Sequence, residues 1–185
     1  MEKPFLPEGY KVPKTGGGYF KLQDGANKFR ILSAPILGHE YWTEDRKPVR
    51  SRELFKFIPT DADISNGFKP KHFWAFVVWN YAESAVQILE LTQTTIQSAL
   101  TDLIQSDDWG DPRGYDVTVN RKGSKLDTEY TVQPSPHKEL PADIKAAFEA
   151  KPINLEALFD GANPFGEADG PARSDEEVAA GEGAL

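Results

Sequence analysis

One stretch, residues 71–91, limits what the chain can become. It opens Lys71-His72-Phe73-Trp74-Ala75-Phe76-Val77-Val78-Trp79-Asn80-Tyr81 and closes Ala85-Val86-Gln87-Ile88-Leu89-Glu90-Leu91. Aromatic and β-branched residues of this density suit a pleated, buried surface. Asn80, Glu83 and Ser84 supply a turn between the two halves, so the stretch reads as a β-hairpin. Alternation along the first strand puts Phe73, Ala75, Val77, Trp79 and Tyr81 on one face and His72, Trp74, Phe76 and Val78 on the other. Neither face is polar. Such a strand is either central in a two-layer protein or keeps one face for a ligand.

The remaining segments build around this hairpin. Short strands are expected over residues 19–22, 27–32 and 38–43, with Asp24-Gly25 as a turn. Residues 44–57 are polar and basic, and residues 59–70 form a loop marked by Asn66-Gly67. The period then changes from two to 3.6. Thr92 is the expected N-cap, and Ile96, Ala99, Leu100, Leu103 and Ile104 form one apolar stripe of a helix. Residues 107–112 stop it, strands follow over 115–121 and 128–132, and short helices are expected near 144–148 and 153–159. This order predicts a mainly β protein: an OB-fold-like five-stranded barrel with additional N-terminal strands, one main helix between strands 3 and 4, and short C-terminal helices. Residues 1–18 read as a flexible arm, 19–159 as the folded domain and 160–185 as a disordered acidic tail.

Composition narrows the chemistry. There is no cysteine, so disulfides and thiolate metal sites are excluded. His39, His72 and His137 are far apart in sequence, and no metal or cofactor is expected. The opening Met1-Glu2-Lys3-Pro4-Phe5-Leu6-Pro7 has no apolar signal-peptide core, and no run suits a membrane span, so a cytoplasmic protein is expected. The net charge is −8. Residues 160–185 carry most of it, with Asp160, Glu167, Asp169, Asp175, Glu176, Glu177 and Glu182 against Arg173 alone. The N-terminal part up to Trp74 is net basic. This asymmetry suggests a basic binding surface and a separate acidic tail.

Single-strand binding needs cations for phosphates and flat side chains for bases. Tyr41 and Trp42, followed by Arg46, Lys47, Arg50 and Arg52, supply both within a dozen residues. The competing reading is a core tryptophan beside a solvated charged loop. Lys71 and Trp74 are a second candidate, with Trp74 either on a base or in the core. Core packing is favoured for Trp79 and Tyr81, and Trp109 is expected to plug the barrel. Arg121, Lys122 and Lys125 lie on a hairpin turn that suits phosphates or plain solvation. Asp61 with Asp63, and Asp107, Asp108 and Asp111, read as ordinary turns rather than Mg²⁺ ligands. No nucleophile–base pair or phosphate-binding glycine loop is evident, so no enzyme is expected.

Three segments carry a resemblance: residues 20–32 (Phe-Lys-Leu-Gln-Asp-Gly-Ala-Asn-Lys-Phe-Arg-Ile-Leu), Trp79-Asn80-Tyr81 with the strand from Val86 to Leu91, and Trp109-Gly110-Asp111-Pro112 through Val117. Together they resemble phage single-stranded DNA-binding proteins, a group similar in role to the T4 helix-destabilising protein. The likeness runs from about Tyr19 to Val132. It implies an OB-fold, sequence-independent binding of single strands in replication, recombination or repair, and a tail whose Asp175, Glu176 and Glu177 recruit replication or recombination proteins. The chain lacks the cysteines of the T4 protein's zinc module. Its arm offers only Lys14-Thr15 where a basic cluster would support self-association on DNA. The rival expectation is a non-enzymatic adaptor or structural phage protein with an OB-like barrel, its aromatics forming a protein interface.

Overall fold

Alternating apolar segments form seven strands: β1 (Gly25–Ile31), β2 (Ile36–Trp42), β3 (Pro48–Ser51), β4 (Lys71–Asn80), β5 (Ala85–Leu91), β6 (Asp116–Lys122) and β7 (Glu129–Pro134). The helix α1 (Thr94–Gln105) lies between β5 and β6, and α2 (Ala142–Ala150) follows β7. This computed structural model describes Phe5 and residues 17–166. The expected arm lies almost wholly outside the described residues, as does the expected tail from residue 167 on; its first residues, 160–166, are part of the fold, with Phe165 buried.

The hairpin of β4 and β5 is the centre of the sheet, as its composition requires. β5 runs along one edge of β4, with Trp74 opposite Leu91 and Asn80 opposite Ala85. β1 and β2 lie end to end along the other edge. Phe29 faces Asn80, and Glu40 faces Lys71. The sheet grows outward from these two, to β3 beyond β2 and to β6 and then β7 beyond β1. All the pairings between these strands are antiparallel.

The expected barrel is not closed. β5 and β7 do not pair, and the sheet stays open. Part of the free edge of β5 is taken instead by the incoming chain. Ile88 donates its N–H to Gly18 and accepts one from Phe20, at 2.7 and 2.8 Å. That contact is a single parallel bridge at Tyr19, so residues 19–22 are not the short strand expected there. β3 is the converse case. It forms inside the segment read as merely polar and basic, because Arg50 finds buried partners there.

Two cores result, one on each side of β4. Phe76 and Val78 join Phe29, Leu89, Leu100 and Val117 under α1. Phe73 and Ala75 join Ile88, Leu158 and Phe165 on the opposite face. The covering residues there come from a 3-10 turn (Leu155–Asp160) and the segment after it. Burying a Leu or Phe side chain contributes about 1.5–3 kcal/mol, so the turn is held firmly. Gly38 is required under it, since a Cβ there would collide with the Ser51 carbonyl and crowd the Phe159 ring.

A buried polar network ties β1 to β6. Arg30 is almost fully enclosed and donates to the Arg113 and Lys138 carbonyls at 2.9 and 2.5 Å. Its guanidinium lies 3.3 Å from Asp116, which also accepts the Tyr81 hydroxyl at 2.8 Å. A buried guanidinium is tolerated only when its donors are satisfied this way. α1 starts one residue later than expected, with Gln93 at the N-cap, whose side chain accepts the Thr92 N–H. Its stripe buries Ile96 and Leu100 but leaves Ile104 41% exposed. No helix among the described residues is long and apolar enough to cross a membrane.

Candidate nucleic-acid interface

The segment from Tyr41 to Arg52 does not act as one unit. Tyr41 is a core residue, 7% exposed, edge-on to Phe55 and tilted against Phe68. Its hydroxyl donates to Asp61 at 2.9 Å. Burial and that bond push its pKa up to about 12. It offers no face to a base, which corrects the expectation.

Arg50 is corrected likewise. Its guanidinium lies between Glu40 and Glu90, at 3.1 and 2.6 Å, and all three side chains are buried. Burial opposes the charge, but Glu90 and Glu40 outweigh it and raise the pKa. Even alternation would have placed Arg50 and Glu40 opposite one another on paired strands, had β3 been recognised. Arg52 is exposed but engaged by the Glu156 carboxylate, with its guanidinium 4.3 Å from the Phe159 ring centre. It clamps the C-terminal turn rather than standing ready for phosphate.

Trp42, Arg46 and Lys47 keep a surface role. Trp42 is half-buried at the end of β2, and Arg46 and Lys47 are exposed in the turn beyond it. The turn is closed by the Thr43 N–H to the Lys47 carbonyl at 2.9 Å and by Arg46 to Thr43 at 2.8 Å. Arg46 takes a left-handed φ of 58°, the third position of a three-residue hairpin loop.

The second candidate fares better. Leu37 faces Trp74 across β2 and β4, and His39 faces His72. All four lie on one face. Leu37 is 49% exposed, His72 is exposed, and Trp74 and His39 are half-buried. The imidazole centres are 5.1 Å apart. The Trp74 indole donates to His72 Nε2 at 3.2 Å, and His72 Nδ1 meets the Gly38 carbonyl at 2.8 Å. Farther along β4 the same face closes under α1. The strand is therefore core-filling over most of its length and open only at its start. Lys71, beside this row, is half-buried and faces Glu40.

Arg121 and Lys122 lie at the other end of the sheet. Glu40 opposite Lys71 puts the β2–β3 turn past the start of β4, while Phe29 opposite Asn80 puts the β6–β7 turn past its end. Ten residues of strand, about 33 Å, separate the two ends. Lys122 is exposed. Arg121 bonds Asp24 at 3.2 Å and has a buried Nε with no partner. Gly123, at φ 84°, makes this turn possible. Trp109 packs edge-on to Tyr115 against the first core, although the open sheet leaves no closed barrel for it to plug.

Residues of the basic segment 44–57 and of the loop after it complete the basic end. The chain from residue 52 to 70 folds back over the β2–β3 hairpin, through Phe55 and Phe68 against Tyr41 and a bridge from Thr43 to Ala62. It leaves Lys56 and Lys69 exposed, and Phe57 85% exposed. Phe57 lies in the run Leu54-Phe55-Lys56-Phe57-Ile58, whose local pattern does not tell which of these side chains the fold covers.

An apolar cleft of about 400 Å³ adjoins the open row and is lined by Ile31, Pro35, Trp74, Phe76, Leu100 and Ile104. Asp111 and Arg113 are at its edge, paired with each other at 2.5 Å. Asp61 and Asp63 are likewise occupied, by Tyr41 and by the Ser65 N–H. Among the described residues no group of three or more His, Asp or Glu side chains is placed to hold a metal. Asp175, Glu176 and Glu177 lie outside the described residues. Compared with family models, curated proteins and solved structures, the chain matches none.

Proposed function

We propose that the chain binds single-stranded DNA without regard to sequence and catalyses no reaction. Bases lie on the floor formed by Leu37, His39, His72 and Trp74, and phosphates follow Arg46, Lys47, Lys56 and Lys69. The open floor carries this reading: Leu37 and His72 are exposed and His39 and Trp74 half-buried beside them, on a face that farther along β4 is closed under α1. Flat faces serve any base, which gives affinity without sequence preference. The pairing order supports an OB-like ancestry for the sheet. If β1 and β2 are counted as one bent strand, the order is β5-β4-β1-β6-β7 with the helix between β5 and β6, lacking only the closing pair. In this reading Asp175, Glu176 and Glu177 engage replication or recombination proteins.

Titration with oligo-dT at several salt concentrations tests the proposal. Affinity should fall with a slope of about −0.7 per phosphate contacted. The double variant Arg46→Ala/Lys47→Ala should flatten the slope by about 1.4. A flat response in the parent protein, or equal affinity for duplex DNA, would sink the reading.

Leu54, Ile58 and Ile64 favour a second role, since they are exposed aliphatic side chains that cannot stack on bases. A protein partner docked on them accounts for their exposure. Replacing all three by serine should leave oligo-dT binding intact if that role is separate.

A further inference from the structure

We infer that the apolar cleft beside Trp74 is a pocket for one unstacked nucleobase at the end of the binding floor, an inference that rests on the single-strand reading above. Three observations point to this occupant. First, Trp74 belongs to both surfaces. It faces Leu37 on the open row and lines the cleft, so a strand laid along the row is led into it. Second, the cleft is electrically neutral. Its charged side chains, Asp111 and Arg113, are locked together by contacts of 2.5 to 3.1 Å, and the rest of the lining is almost wholly apolar. A phosphate would find no free cation there, whereas an uncharged, flat base needs none. Third, the space is open and of the right order. About 400 Å³ lies at the lower end of the range for small-ligand sites, and Ile104 stands 41% exposed at its side although it falls on the buried stripe of α1.

The pocket is shaped by breaks in regular structure, not by a mobile part. Residues 33–35 interrupt the path from β1 to β2, and Ser33 is pinned there by accepting the Val77 N–H at 2.9 Å. The 3-10 turn Pro112–Gly114 closes the opposite side. The walls are therefore present before any ligand arrives, which lowers the ordering cost of binding. A base inserted between Trp74 and Ile104 leaves its sugar and phosphate outside. Duplex DNA cannot enter without unpairing, so the pocket adds discrimination against duplex to the affinity of the floor.

Filling the cleft tests the inference. Ile104→Trp and, independently, Ala34→Phe place a ring in the space, and thermal melting confirms the fold of each. Oligo-dT affinity should fall roughly tenfold in both, the share one stacked base supplies, with the salt slope unchanged because no phosphate contact is touched. Filled variants that bind like the parent protein would overturn the pocket and leave the floor standing. A changed salt slope would show that the phosphate track was disturbed, and would overturn it too. If the parent protein fails to bind oligo-dT at all, both readings fall. Sedimentation without DNA covers the remaining occupant: self-association of the parent protein that both filled variants abolish would make the cleft a contact between copies of the chain.

Discussion

The indole N–H of Trp74 donates to Nε2 of His72 at 3.2 Å, two residues away along the same strand. With the Gly38 carbonyl opposite Nδ1, the partners assign the ring proton to Nδ1. Trp74→Ala should weaken oligo-dT binding by about 1–3 kcal/mol, and Trp74→Phe should retain most of the affinity. His72→Ala should reduce the quenching of tryptophan fluorescence by DNA. Unchanged affinity in Trp74→Ala, with its fold confirmed, would remove the floor from the account.

Acid should act on stability through His39. Its pKa lies below the ordinary 6.5, first because burial disfavours the charged ring and then because His72 is beside it. Above pH 6.5 both folded and unfolded chains hold this ring neutral, and its contribution is complete. As pH falls through 6.5 the unfolded chain takes the proton first, so stability declines until the lowered folded value is passed. Urea midpoints at pH 7.5 and 5 should differ less in His39→Gln than in the parent protein. An equal difference would assign the acid response to other groups.

Arg50 should matter for folding and not for DNA. Its removal takes away the guanidinium that bridges two buried carboxylates, Glu40 and Glu90, a loss of about 3–5 kcal/mol. Arg50→Ala should unfold at much lower urea. Replacing all three residues by apolar ones of similar volume should recover most of the stability. If Arg50→Ala keeps its urea midpoint and loses DNA affinity, the ion cluster is not what holds β3 in place.

Alkali should reveal two tyrosines. Burial, followed by the bonds to Asp61 and Asp116, pushes Tyr41 and Tyr81 up to about 12. The folded state retains protons that the unfolded chain loses near pH 10. Their contribution to stability is therefore full below pH 10 and is lost as pH rises through 12. Absorbance titration should show these two ionising late, and Tyr41→Phe should remove one late step. The same variant should cost about 1 kcal/mol in stability and leave oligo-dT affinity unchanged. Loss of affinity would return Tyr41 to the binding surface.

The alternation in residues 71–91 determined the central hairpin by itself, because side-chain period and turn chemistry are local properties. The 3.6 period likewise placed α1, and the flat, apolar character of both faces of β4 raised the question of a ligand. Only the tertiary structure decided which residues answer it. Tyr41 and Trp42 are adjacent in sequence, yet one is packed under Phe55 and Phe68 while the other reaches the surface, because successive strand residues point to opposite sides and the covering loop returns over one side only. Arg46 and Arg50 look alike in a basic segment. Arg50 meets two buried carboxylates, one of them forty residues away, and no local pattern encodes that meeting. The open sheet has the same origin. Whether β5 closes on β7 depends on what else reaches the β5 edge, and there the incoming residues 18–20 bond Ile88 first.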